Sequence, residues 1–284
     1  MIKNLYKEKM VCSMEVFPPK KDSDIQTIFT ALDAMKELHP DYISVTYGAG
    51  GSNSRKALDI ADYIQNTCHI EAVAHLTCAA LTPEKLEEFL EELKKKKVKN
   101  VLALRGDKPL DMTTEEFEGR YFTYASDLVK AIQKHPMGSI AGACYPEIHP
   151  ESENRAEDIA HLKEKVEAGV DFLVTQMFFD NAVFYEFLEE AGKGGIHVPV
   201  SAGIMPITKA NQIRNMVELS GSRIPADMSH MVAKYKDNPE DLKKAGIDYA
   251  IRQIEDLKKH GADGIHLYSM NRPEVAAAIF RAVC

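Results

Sequence analysis

No apolar run in this 284-residue chain approaches the roughly 20 residues that a bilayer-spanning helix needs, so no transmembrane segment is expected. The opening stretch, MIKNLYKEKM, has no apolar core of the kind a secretory signal carries, and no export signal is expected either. Cysteine is sparse: Cys12, Cys68, Cys78, Cys144 and Cys284 are odd in number, widely spaced and never arranged as CxxC. That usage argues against a disulfide framework and for a reducing cytoplasm. Basic charge is in deficit, with 35 Lys and Arg against 43 Asp and Glu and a net charge of −8. Nucleic acids and anionic membrane surfaces are polyanions, so neither is an expected partner, although local basic pockets for phosphate are compatible with the balance. Linkers rich in Pro, Gly or Ser and low-complexity tracts are absent, which predicts one domain over residues 1–284.

What the chain does contain is a repeat of eight short apolar runs, each followed by a stretch with helical spacing. The runs are VCSMEVFPP (11–19), YISVTYGAGG (42–51), EAVAHLTCAA (71–80), NVLALRGD (100–107), SIAGACYPEIH (139–149), FLVTQMFFD (172–180), VPVSAGIMP (198–206) and GIHLYSMN (264–271). Strand–helix alternation of this kind predicts an α/β parallel sheet, and eight units closing on themselves give a (β/α)8 TIM barrel. Between the strands, Asp22 or Ser23 caps a helix carrying Ile25, Ile28, Leu32 and Met35. Ser52 or Asn53 caps RKALDIADYIQ, and Thr82-Pro83 opens a helix with Leu86, Phe89, Leu90 and Leu93 apolar. Further helices are predicted from near Tyr124 through DLVKAIQK, over Arg155–Ala168 with Gly169 as its stop, over Ala182–Ala191, over Lys209–Leu219 and from Pro273. An extra helical segment before the eighth strand covers Pro225–Tyr235 and Pro239–His260. The acidic stretch Lys108–Tyr121 is long for a barrel loop, which predicts that it covers a site or is locally ordered.

In such a barrel the carboxyl ends of all strands meet on one face, so residues distant in sequence share a pocket. Glu15 is a carboxylate inside an apolar strand: buried, its charged form would be penalised, which suits a general acid, and half-exposed, it would pair with Lys20 or Lys21. Arg105-Gly106-Asp107 offers a fixed cation, a backbone open to close approach and an acceptor, or else a plain surface ion pair in a turn. His75 and Cys78 lie three positions apart and point to opposite faces of a strand, so no metal site is expected. Gly48–Gly51 follows a strand and precedes a helix, but Asn53 breaks the GxGxxG pattern and a structural turn is the reading. Tyr145, His149, Asp158 and Lys165 combine aromatic, imidazole, acidic and cationic groups suited to a nucleotide-like ligand. Gln176 is an amide in an apolar strand that needs partners, which a heterocycle would supply.

Taken in order, EVFPPK, SVTYGAGG, HLTC, ALRGD, YASDLV, YPEIHPE, VTQMFFD, GIMPI and YSMNR resemble the methylenetetrahydrofolate reductase family from Glu15 to Arg272. The resemblance implies a (β/α)8 barrel holding noncovalent FAD and reducing 5,10-methylenetetrahydrofolate to 5-methyltetrahydrofolate, with NADH or NADPH as electron source. The length implies the short bacterial type, without a regulatory domain. On this resemblance Glu15 is the general acid, and Asp107 lies near flavin and pterin. Thr46, Tyr47, Ala49, His75, Arg105 and Gly106 belong to the flavin-contacting set, as do Tyr124, Ala125, Tyr145, His149, Ser152, Asp158 and Lys165. His161 is counted with them, although it and Glu164 stand where bacterial relatives often carry Asn and Arg. Gln176, Gln212 and Arg272 are the implied folate contacts, with Gln176 also near the nicotinamide. Met216 replaces an aromatic residue that can stack on the nucleotide, which keeps a partner electron-transfer subunit in view as the alternative donor. Homo-oligomerisation is expected from the family. Two rival readings are a flavin-binding electron-transfer subunit and a flavin-free barrel lyase; the latter would want a strand-end interior lysine for Schiff-base chemistry, and no strand supplies one.

Overall fold

The computed structural model describes residues 1–19, 25–47, 54–109, 112–213 and 222–284. Eight strands are present: β1 (Val11–Val16), β2 (Tyr42–Val45), β3 (Glu71–Thr77), β4 (Asn100–Leu104), β5 (Ile140–Cys144), β6 (Phe172–Thr175), β7 (Val200–Ile204) and β8 (Gly264–Tyr268). They pair in sequence order, all parallel, and β8 closes on β1. The predicted barrel is therefore the observed one. Each strand is shorter than the apolar run that announces it, because the pairing ends where the chain turns out towards the mouth.

The helices are α1 (Ile2–Leu5), α2 (Ile25–Lys36), α3 (Ser54–Asp62), α4 (Pro83–Lys95), α5 (Thr114–Glu118), α6 (Ala125–Ile132), α7 (Arg155–Glu167), α8 (Asn181–Lys193), α9 (Ala226–Tyr235), α10 (Pro239–Lys259) and α11 (Pro273–Val283). Thr82 caps α4 through Lys85 N–H, with Pro83 in the first turn, as the sequence indicates. The helix predicted over Lys209–Leu219 is helical at residues 210–213, and the rest of it lies outside the described residues. So do the proposed caps Asp22, Ser23, Ser52 and Asn53. Within the long acidic loop, α5 is held by a capping box between Thr113 and Glu116, so the loop has local order. Among the described residues no helix is long and apolar enough to cross a membrane.

Alternation along the strands sorts side chains between two cores. Val11, Tyr42, Val73, Leu102, Ala141, Phe172 and Val174 fill the barrel interior, together with Ile2 of α1, which plugs its amino end. Cys12, Met14 and Val16 instead join the larger core between barrel and helices. The same pleat sends Ser13 and Glu15 inward. Gly246 lets α10 press against the chain leaving β7: a Cβ there would come within 1.7 Å of Ile207 O.

One sequence expectation is corrected here. Cys12 and Cys284 form a disulfide, with Cα atoms 6.4 Å apart across 272 residues of sequence. Spacing along the chain cannot reveal the pair, because barrel closure and the packing of α11 bring them together. Cys68, Cys78 and Cys144 are free and buried. By chain-entropy reasoning a cross-link closing so long a loop stabilises by about 2–5 kcal/mol. Cys284→Ser should therefore lower the free energy of unfolding by that amount in oxidising buffer and leave it unchanged in dithiothreitol. Equal stability of parent and variant in oxidising buffer would contradict the cross-link.

Candidate active site

Glu15 projects into the upper barrel, its side chain 18% exposed, and faces two imidazoles. Its Oε2 lies 3.5 Å from His75 Nε2 and 3.7 Å from His266 Nε2. Lys20 and Lys21, the alternative partners, lie outside the described residues. Burial pushes the His75 imidazole from 6.5 down to about 4; the Glu15 charge opposes that shift and His266 adds to it. His75 is thus a neutral ring at physiological pH. Its Nε2 and the Thr77 hydroxyl, both from the carboxyl end of β3, are buried without a hydrogen-bond partner among the described residues. Unsatisfied buried polar atoms of this kind cost free energy and fit a ligand that completes them. Cys78 packs in the outer core, on the side away from His75, as strand alternation requires.

Beside β3, Gly106 adopts φ +77°, and a Cβ there would stand 2.8 Å from Thr77 Cβ. The backbone at the end of β4 thus packs tightly against Thr77 in a conformation that only glycine adopts without strain. Arg105 does not pair with Asp107. Its guanidinium forks onto Glu151, with Nη2 donating to Oε1 at 2.7 Å, and this bond holds the Glu151 carboxyl below its usual range. Asp107 stays exposed at the rim, and its charge, after burial, helps to push the Tyr145 hydroxyl up.

The loop after β5 gathers the next set. Tyr145 meets His149 edge-on at 4.6 Å, and Asp158 accepts His149 N–H at 3.3 Å. Ser152 N–H donates to His149 O. Arg155 fastens this loop by donating to the Tyr145 and Pro146 carbonyls, and its Nε pairs with Glu190 at 2.9 Å. Ile148 is exposed and holds φ +140°, a strained conformation for a β-branched residue and one that clusters at functional sites. Tyr124 is exposed at the start of α6 with His161 stacked 6.4 Å away, and Ala125 is buried behind it. Lys165 donates to Ala143 O at 2.7 Å, and burial pushes its ammonium down.

On the opposite rim, Gln176 Oε1 accepts Met177 N–H at 2.9 Å, a local partner for the amide. Gln212 and Arg272 are joined through Thr208: Gln212 Oε1 accepts Thr208 N–H at 2.8 Å, and Arg272 Nη1 donates to Thr208 Oγ1 at 2.6 Å. Tyr268 reaches across to donate to Thr175 O at 2.7 Å, a path open because Gly203 has no Cβ to meet its ring. One member of the implied flavin set packs towards the helices instead. Tyr47 packs edge-on against Phe89 of α4, 5.7 Å away, and Ala49 lies outside the described residues. Thr46 is tied at the end of β2, its N–H donating to Val16 O.

Glu151, Arg155, Thr208 and His266 go unnoticed in the sequence. The first two resemble solvated charges, and His266 lies within an apolar run; its signal is the alternation that pairs it with Tyr268 on one face of β8.

A neutral buried His75 has a consequence for stability. The unfolded chain binds a proton near pH 6.5 that the native ring refuses until about pH 4, so stability falls as pH drops through that window. The parent should lose about 3 kcal/mol more than His75→Asn between pH 6.5 and 4, read by urea unfolding. Parallel losses would contradict a neutral ring.

Residues 1–283 match the family model described as methylenetetrahydrofolate reductase. The chain is 35% identical over 279 residues to methylenetetrahydrofolate reductase (NADH) 1 of Arabidopsis thaliana, covering 94% of this chain and 47% of that one. It is 33% identical over 267 residues to 5,10-methylenetetrahydrofolate reductase of Escherichia coli K12, covering 94% and 88%. The chain thus spans about half the length of the plant relative and most of the bacterial one. Among solved structures, a Clostridium thermocellum protein described as binding two copies of 5-methyl-5,6,7,8-tetrahydrofolic acid superposes with a TM-score of 0.65 at 15% identity, covering 99% of this chain and 96% of that one. An oxaloacetate acetylhydrolase superposes at 0.55 and 14%, covering 99% and 83%. Those two likenesses speak to the barrel alone. The family match over nearly the whole length, on a closed barrel with this arrangement at its mouth, shows that the chain belongs to the methylenetetrahydrofolate reductase family.

Proposed function

We propose that the chain is one catalytic domain that reduces 5,10-methylenetetrahydrofolate to 5-methyltetrahydrofolate, using noncovalent FAD and electrons from NADH or NADPH. The observation that carries the reading is Glu15, a carboxylate inside the mouth faced by two imidazoles, on a chain that matches the family from end to end. NADH is the favoured donor, since the plant relative is named for it. The cytoplasm is the favoured location and a homo-oligomer the favoured assembly.

The residues present fit a flavin. His75 Nε2 and Thr77 Oγ1 are buried polar atoms without a hydrogen-bond partner, and the Tyr124 ring is exposed, which supports a ligand that completes and covers them. Arg105, Tyr145, His149, Ser152, Asp158, His161 and Lys165 would hold its ring, ribityl chain and phosphates. Bound and reduced, FAD supplies the hydride that the one-carbon unit receives, chemistry no side chain here can perform.

The chain's own contribution is proton control and orientation. The imidazolidine ring of the substrate must open before its carbon can accept hydride, and N10 must leave as an amine. Glu15 delivers the proton that makes N10 a leaving group, a contribution of about 10²- to 10⁴-fold. Asp107 at the rim orients the pterin from one side. Gln176 and the Gln212–Thr208–Arg272 group hold the folate from the other.

Glu15→Gln should bind FAD and accept electrons from NADH as the parent does, while folate reduction in a single turnover falls by at least about 100-fold. A parent-like folate rate would remove Glu15 from the chemistry. Retained flavin reduction with no transfer to folate in the parent itself would favour an electron-transfer subunit.

A further inference from the structure

The disulfide between Cys12 and Cys284 joins two residues in unlike surroundings, and no step proposed above uses it. Cys12 lies on β1 three residues before Glu15, is 8% exposed, and faces the outer core with Met14 and Val16. Cys284 follows the last turn of α11 and is exposed. Both sides of the junction are fixed by bonds other than the cross-link. Cys12 N–H donates to Asp41 Oδ2 at 2.9 Å, and β1 is paired on both edges, with β2 and β8. Cys284 N–H donates to Phe280 O, Lys258 of α10 donates to Val283 O at 2.8 Å, and α11 packs on α2 and α10. The fold itself thus holds the two Cα atoms 6.4 Å apart, within the range a disulfide spans.

The other cysteines have no such opening to solvent. Cys68, Cys78 and Cys144 are free and buried. Burial pushes the Cys68 thiol up to about 11, the Cys78 thiol up to about 12, and the Cys144 thiol up as well. Thiol–disulfide exchange needs a thiolate that a dissolved disulfide can touch. Burial denies that contact to those three and, in the reduced protein, to Cys12. Of the five cysteines, Cys284 alone is open to a reagent in solution.

We propose that Cys284 is a modification site for low-molecular-weight thiols, entered by thiol–disulfide exchange, and that Cys12 is its resolving partner. The oxidant is a small disulfide RSSR of the glutathione class. The Cys284 thiolate attacks one of its sulfurs: a bond forms from Cys284 Sγ to that sulfur, the RS–SR bond breaks, and one RS⁻ leaves. The Cys12 thiolate then attacks Cys284 Sγ, the cross-link forms, and the second RS⁻ leaves. The protons given up by the two cysteines end on the two RSH. Two protein thiols are thereby oxidised and one RSSR is reduced.

Reduction runs the same path backwards, a small thiol attacking the Cys284 sulfur first, so the pair follows the state of the surrounding thiol pool. In a reducing compartment it rests open, and it closes when small disulfides accumulate. Closing ties α11 to the strand that carries Glu15, and opening releases the tie. The pair therefore writes redox state into the stability of the β1–α11 junction, whichever flavin or electron donor the mouth uses.

The test uses the whole chain, reduced, freed of reductant and mixed at neutral pH with glutathione disulfide. Samples quenched in acid over time are read by intact mass and peptide mapping. The parent should pass through one glutathione adduct, on Cys284, and end with no adduct, two fewer free thiols, and Cys12 linked to Cys284. Cys12→Ala should stop at the adduct and keep one glutathione on Cys284. Cys284→Ala should take up none while folded. A first adduct on Cys12, Cys68, Cys78 or Cys144, or a Cys12→Ala protein that gains none, would overturn the proposal. A parent that keeps its adduct would remove Cys12 as the resolving partner. Should Cys12→Ala not fold, the first adduct mapped in the quenched parent still decides the entry point, and its final thiol count decides the resolving step. Thermal unfolding reads the consequence: the oxidised parent should melt about 4–10 °C above the reduced parent, with no such gap in Cys284→Ala. Equal midpoints for the two forms of the parent would contradict the tie.

Discussion

The pleat of a single strand governs this site. β1 turns Cys12, Met14 and Val16 towards the helices and sends Ser13 and Glu15 into the barrel, one above the other. A shift of one residue would exchange the two sets, placing the carboxylate among apolar side chains and a methionine at the mouth. Closure against β8 makes that shift costly, because Ser13 must meet His266 and Glu15 must lie beside Tyr268. The register that seals the barrel is therefore also the register that turns the Glu15 carboxylate into the mouth. Asn271 extends it past the strand by exchanging hydrogen bonds with both backbone groups of Phe17.

The role proposed for Glu15 then depends on what surrounds it. Two imidazoles, that of His75 kept neutral by burial, two buried tyrosines and a serine surround it, and among the described residues no lysine or arginine pairs with it. Such a setting handles a proton without fixing the carboxylate in an ion pair, whereas an arginine in the same place would hold it ionised. Fixed charge is kept at the rim instead, where Arg105 and Glu151 neutralise one another and Asp107 remains exposed. Strained backbone marks the same rim, at Ile148 after β5 and at Met270 and Asn271 after β8. Those conformations persist because the surrounding loops over-determine them.

The barrel is legible in the sequence because parallel strands buried on both faces read as unbroken apolar runs, and each of the eight runs becomes a strand. Helix ends with chemical punctuation are legible too, as at Thr82-Pro83 and at Gly169 after α7. Less visible is α1, a single short turn whose purpose, plugging the barrel, is tertiary. The cysteine pair is invisible for the same reason: its partners meet only when β8 closes on β1. In the site, residues at strand ends stand out because position alone marks them. Thr208, which joins Gln212 to Arg272, does not, since a threonine in a loop carries no signal until its neighbours are known. Glu151 and Arg155 are hidden among other charges in the loop after β5, and only geometry separates a clamp from a solvated side chain.

The proposed function requires that one mouth receive electrons on a flavin and pass them to a folate carbon. The most direct measurement is an anaerobic titration of the purified, FAD-loaded protein, followed by its visible absorbance. NADH should bleach the flavin, and 5,10-methylenetetrahydrofolate added afterwards should restore it with an equal amount of 5-methyltetrahydrofolate formed. A protein that takes up no flavin, or whose reduced flavin ignores the folate, would contradict the claim.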